Sequence, residues 1–184
     1  MTEDDISNTA DAVFESLPVV AVARDFSWLN KQEYLDSDET DKNASKIEYI
    51  GFQIADLHLI CSFDSISEIL DIPDIYRVPH LPPWVRGAAS LRGEVAPIID
   101  LALYLNLSQR TEASMLMVMG HNDERAGLLV NGRPDIYYFL EQHQLTTEPP
   151  VSQELLPYLK TAYQRDDVIW LELDMTALID NMIE

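Results

Sequence analysis

The chain has 184 residues, 47% of them hydrophobic, and its 12 basic against 32 acidic side chains leave a net charge of −20 at pH 7. That length and apolar content suit one domain of ordinary size, or two small ones sharing a core, and exclude disorder throughout. The charge repels phosphate backbones and anionic headgroups, which excludes nucleic acid and a bare membrane surface as main partners.

The first 46 residues differ in texture from the rest, with eleven acids against four bases. Ala10, Val13, Phe14 and Leu17 stand at helical spacing before Pro18 and predict one short amphipathic helix. Phe26, Trp28 and Leu29 form an aromatic cluster that either folds back on the domain or docks elsewhere, and residues 36–46 read as a linker. Residues 1–46 are thus expected to be an acidic extension and 47–184 the domain proper. The acidic N-terminus is unlike a secretory signal, no apolar run is long enough to insert directly in a membrane, and the lone Cys61 excludes an internal disulfide or a CxxC pair. A cytoplasmic protein is expected.

From Ile47 the pattern is of short strands. Ile50, Phe52 and Ile54 alternate, Ala55-Asp56 breaks the run, and Leu57, Leu59, Cys61 and Phe63 alternate again, predicting a hairpin with Cys61 as a core thiol. Val85 to Leu91 reads as a strand reversed at Leu91-Arg92-Gly93-Glu94, where Gly93 supplies a positive φ and Arg92 is displayed. Pro97 lacks a ladder donor, so the returning strand needs an edge or an irregularity there, and Asp100 is placed to cap a helix over Leu101 to Leu105. Ser114 to Met119 and Arg125 to Val130 predict a second hairpin around residues 121–124, ended by Asn131-Gly132. Met115, Met117 and Met119 share one face of its first strand and read as core. Ile136 to Phe139 and Val168 to Leu173 are further strands, and Asp174 caps a C-terminal helix. Many short strands with few helices imply small barrels or a sandwich.

Catalytic signatures are missing. The six glycines form neither GxGxxG nor a Walker A loop, Ser90 lies three residues from each flanking glycine where a nucleophile elbow needs two, and the four histidines have no zinc-binding spacing. No cofactor or metal is expected. A small acidic hydrolase with a carboxylate pair is the one enzymatic alternative, and it has no motif behind it.

The run Pro82 to Leu101, PPWVRGAASLRGEVAPIIDL, resembles the signature of the CheW-like chemotaxis coupling proteins: a glycine, a short strand, L-R-G, a hydrophobic pair around proline, then D-L. Ile66-Ser67-Glu68-Ile69 is similar to that family's V-x-E-I strand, and Ala126 to Val130 to its G-hydrophobic-V-D strand. The resemblance implies a mainly β fold of two small five-stranded barrels sharing a core, with short helices and a C-terminal helix. It implies no enzyme but an adaptor joining a chemoreceptor's cytoplasmic tip to the regulatory domain of a CheA-type histidine kinase. Carried over, Arg92, Ile66 and Glu68 match partner-contact positions, while Gly87 and Gly93 match structural glycines, with Pro97 and Asp100 completing the motif. Ile66 and Glu68, two apart on a strand, are expected to share a face. A structural ion pair of Arg92 with Glu94 or Asp100 is the competing reading. Ser90, Asn131 and Thr161 depart from the family pattern, where Asn, Asp and Gly are usual. Trp84, the Tyr137-Tyr138-Phe139 run and Trp170 look like members serving type IV pilus twitching, with flagellar chemotaxis or another output as the alternative.

Overall fold

The computed structural model describes residues 46–107, 112–120 and 125–183. The expected N-terminal helix, its aromatic cluster, the linker up to residue 45 and the turn at 121–124 lie outside the described residues.

Among the described residues nine strands form one continuous sheet that curls into two five-stranded halves, with β7 in both. They are β1 (Lys46–Ile54), β2 (Leu57–Cys61), β3 (Ile66–Leu70), β4 (Val85–Leu91), β5 (Glu94–Ile99), β6 (Met115–Met119), β7 (Ala126–Leu140), β8 (Leu159–Arg165) and β9 (Val168–Leu173). The hydrogen-bonded path runs β3-β6-β7-β1-β2-β9-β8, and β5 joins β7 while pairing with β4. Both predicted hairpins are present: β1 and β2 pair through the Ala55-Asp56 turn, and β6 pairs antiparallel with the first part of β7.

β7 joins the halves. The sequence predicted a strand ending at Asn131-Gly132, but β7 runs through these residues to Leu140. Its first residues pair with β6 and β5; beyond Asn131 it pairs with β1. A register shift opposite Gly51–Gln53, with Gly132 at φ 66°, takes up the turn signal as a bend rather than an end. Asn131 holds the junction, because its Oδ1 accepts from the Ala55 N–H at 2.6 Å and its Nδ2 donates to the Glu112 carbonyl.

Each half has its own interior. Tyr49, Ile60, Phe139, Tyr163 and Trp170, one from each of β1, β2, β7, β8 and β9, fill one half. Ala89, Leu91, Ala96, Ile98, Leu116 and Val118 fill the other, with Leu70 and Leu129 against them. A shared core lies between, where Met117 and Met119 take one face of β6 while Leu116 and Val118 take the other, as the alternation predicted. Cys61 is buried there, its thiol directed at the Ile50 carbonyl.

Among the described residues two α-helices close the structure. Asp100 accepts from the Leu103 N–H at 3.1 Å and caps α1 (Leu101–Tyr104); Asp174 accepts from the Ala177 N–H and caps α2 (Met175–Ile183). Met175, Leu178, Ile179 and Met182 of α2 bury its apolar stripe in the shared core. Each such side chain stabilises by about 1.5–3 kcal/mol.

Candidate functional site

The β4–β5 hairpin turns in two residues, and both take left-handed backbone: Arg92 at φ 55° and Gly93 at φ 82°. A turn of this hand matches the twist of paired strands, and glycine enters it freely while arginine pays of order 1–3 kcal/mol. Nothing lies within 4 Å of where a Gly93 Cβ would stand, so the glycine is required by its φ and not by crowding. The turn projects Arg92 against Glu68 of β3, and the two form an ion pair. The Glu68 side chain is 4% exposed and that of Arg92 27%, so the carboxylate lies beneath and the guanidinium forms its outer cover.

Ile66 and Glu68 do not share a face. A register shift on β3 sets Ile66 opposite Met119 but Glu68 opposite Val118, adjacent residues of β6 that point to opposite sides. Ile66 therefore enters the shared core, 3% exposed, and Glu68 turns to the side of the β4–β5 half. The bulge at Ser67, whose hydroxyl donates to the Val118 carbonyl, overrides the two-residue alternation on which the sequence reading relied. The competing reading of Arg92, a structural ion pair with one of the many acids, is present with Glu68, where Glu94 and Asp100 were the acids suggested. Glu94 pairs with Arg125 at 3.0 Å, and Asp100 lies 3.6 Å from Arg86.

The remaining motif residues hold this hairpin in place. Gly87, at φ 143°, lies so close to the preceding loop that an added Cβ would stand 2.3 Å from the Tyr76 carbonyl oxygen. Tyr76 and Ala88 exchange both backbone hydrogen bonds at this point, which straps residues 71–84 along β4. Pro97 sits one residue before β5 begins its parallel ladder to β7 at Ile98, so its missing donor costs no bond there. Trp84 donates its indole N–H to the Met182 carbonyl at 2.9 Å and meets Tyr104 edge-on, tying the strap to α2. Sequence reasoning named Trp84 for its resemblance to the type IV pilus members, and nothing in the local pattern names its partner.

Where β3 ends, β6 begins and β7 has bent, Ile69, Leu70, Asp71, Met115 and Arg133 line an open cleft of about 300 Å³. Apolar side chains, a carboxylate and a guanidinium share its lining. Burial pushes the Cys61 thiol up from its ordinary 9.0, which removes it as a nucleophile at neutral pH. Among the described residues no group of three or more His, Cys, Asp or Glu is placed to hold a metal ion, and no helix is long and apolar enough to cross a membrane. The described residues here present an ion pair at a two-residue turn, an open cleft and an exposed strap.

A family model for the CheW-like domain matches residues 48–182. Protein PilI of Pseudomonas aeruginosa is 28% identical over 131 residues, covering 70% of this chain and 73% of PilI. The chemotaxis protein CheW of Helicobacter pylori is 32% identical over 93 residues, covering 50% of this chain and 56% of that protein. The crystal structure of the scaffolding protein TtCheW from Thermoanaerobacter tengcongensis shares the fold, with a TM-score of 0.63 at 19% identity over 75% of this chain and 90% of that one. Two five-stranded halves joined by β7, an L-R-G turn over an I-S-E-I strand, and a family match across almost the whole described region agree: the chain belongs to the CheW-like domain family, the non-catalytic scaffolds of chemosensory signalling.

Proposed function

We propose that this protein couples a chemoreceptor's cytoplasmic tip to the regulatory domain of a CheA-type histidine kinase in the cytoplasm, and that the output is type IV pilus twitching. The observation that carries the coupling role is the Arg92–Glu68 pair: a strained arginine at a hairpin tip, covering a carboxylate and still partly open to a partner. Arg92 is the contact residue in this reading. Glu68 orients it from beneath, and Ile66 acts by fixing the backbone of β3 from inside the core. The cleft at Ile69, Leu70 and Met115 offers the second face that coupling needs. Likeness to PilI of Pseudomonas aeruginosa favours the pilus output. Likeness to CheW of Helicobacter pylori supports flagellar chemotaxis as the second reading.

The experiment is a pull-down of the full chain against the kinase regulatory domain and the receptor tip fragment from the same cell. Arg92→Gln serves as the variant, because Arg92→Glu would set two carboxylates against each other. Capture of both partners by the wild type, with loss of one by the variant, supports coupling through this hairpin. Capture of neither removes the function. Deletion of the gene, scored for twitching and for swimming, separates the two outputs.

A further inference from the structure

Residues 75–93 are the longest stretch of the chain without Asp or Glu, nineteen positions holding Arg77, Arg86 and Arg92. In a molecule of charge −20 this is a local gap in the acids, within which Arg92 meets Glu68 and Arg86 meets Asp100. The same stretch exposes apolar surface. Tyr76, Val78 and Leu81 are 42–46% exposed, and Val95 on the adjoining strand is 58% exposed. Tyr76 and Val95 belong to one face, since Tyr76 pairs with Ala88 and Ala88 with Pro97, two positions from Val95; Val78 and Leu81 follow on the exposed loop that leads from Tyr76 to Trp84. The strap is fixed at both ends, by Ile72 and Ile75 against the interior of that half and by the Trp84 bond to Met182. Its exposed middle is therefore a held surface and not a fraying loop.

We propose that this face is the docking site for the chain's own N-terminal extension, with Phe26, Trp28 and Leu29 on the exposed apolar side chains and acids of the extension facing Arg77. Three arguments select this occupant over a separate protein. The charges are complementary, with eleven acids against four bases in residues 1–46. The chemistry matches as well, because the aromatic and aliphatic side chains of Phe26, Trp28 and Leu29 fit exposed apolar side chains. The tether is long: Trp28 lies 18 positions before Lys46, where β1 starts, and a chain of that length extends to at most about 60 Å, so docking within one molecule has the advantage of an intramolecular event. Docking there covers the strap beside the Arg92 turn, so the extension competes with any partner that uses the outer face of this hairpin.

The test places a benzophenone amino acid at Leu81 in the full-length chain, irradiates at low micromolar concentration and maps the cross-linked peptides by mass spectrometry. Cross-links within one chain to residues 1–46 are expected, lost in Phe26→Ser/Trp28→Ser, weakened in Arg77→Glu and by high salt, and absent for the same probe at Gln164, an exposed position on β8 in the other half. The probe at Val78 repeats the measurement at a second exposed site. No cross-link to residues 1–46, an equal yield at Gln164, or persistence in the Phe26→Ser/Trp28→Ser variant would overturn the proposal. Cross-links found only in covalent dimers would replace it with exchange between two copies.

Discussion

Arg92 reaches back from the β4–β5 turn to Glu68 on β3, so the ion pair ties the tip of one hairpin to the edge strand of the same half. A carboxylate that is 4% exposed depends on that guanidinium for its solvation. Arg92→Ala should therefore destabilise the fold by about 2 kcal/mol, below the 3–5 typical of fully buried pairs because the arginine is itself partly hydrated. Adding Glu68→Gln to that variant should recover part of the loss, since an amide costs less to bury than an unpaired carboxylate. Urea unfolding of the wild type, both single variants and the double variant measures the coupling, and strictly additive effects would mean the pair has no energetic role.

Gly87 is predicted to be the least replaceable glycine of the motif. Alanine there is strained twice, by φ 143° and by a Cβ 2.3 Å from the Tyr76 carbonyl oxygen, which is backbone and cannot swing aside. Gly87→Ala should cost more than about 2 kcal/mol and should lift the strap off β4, speeding hydrogen exchange at the Tyr76 and Ala88 amides ahead of the core. Gly93→Ala, which meets no neighbour, should cost about 1 kcal/mol from its φ alone and leave the strap protected.

These two relationships mark how far the sequence could be read. The hairpins, the caps at Asp100 and Asp174 and the two faces of β6 were legible because each depends on spacing within one segment. Two closely related facts were not. The bulge at Ser67 inserts one residue against β6, and a slip of one reverses every later side chain, so Ile66 and Glu68 part company. Which acid meets Arg92 depends on β3 and β4 belonging to the same curled half, a relation no local pattern encodes. Likewise Asn131-Gly132 signalled a turn correctly, but the chain used it to bend β7 from one half to the other.

Trp84→Phe should keep the edge-on packing against Tyr104 and lose the hydrogen bond to the Met182 carbonyl. The expected cost is about 1 kcal/mol, the net worth of one such bond, with the accepting carbonyl near the helix end left to find water. Exchange should quicken in the last turn of α2 and in the strap, while β1 and β2 stay unchanged. A uniform loss of protection would mean Trp84 acts through its bulk and not through this bond.

The dependence of stability on pH should have two independent limbs. Burial raises Cys61 above its ordinary 9.0; burial, then hydrogen bonding to Tyr163 and Glu172, raises Tyr49 above 10.0. Both groups are neutral when protonated, so the folded state holds protons that the unfolded chain releases, and the stability they contribute is whole below pH 9 and declines above it. For Cys61 alone the decline is about 1.4 kcal/mol per pH unit once the unfolded thiol has ionised. Cys61→Ala should lower stability at pH 7 by a small cavity cost yet flatten the curve between pH 9 and 10. On the other limb, burial lowers His58 from 6.5 against the opposing pull of Asp56. Its contribution is present above pH 6.5 and is lost as pH falls, because the unfolded imidazole takes the proton first. With so many carboxylates titrating below, the limb is best read as a difference: the gap between wild type and His58→Asn should shrink from pH 7.5 to pH 5.5. A gap that stays constant across that interval, by urea unfolding at each pH, would show that His58 titrates alike in both states.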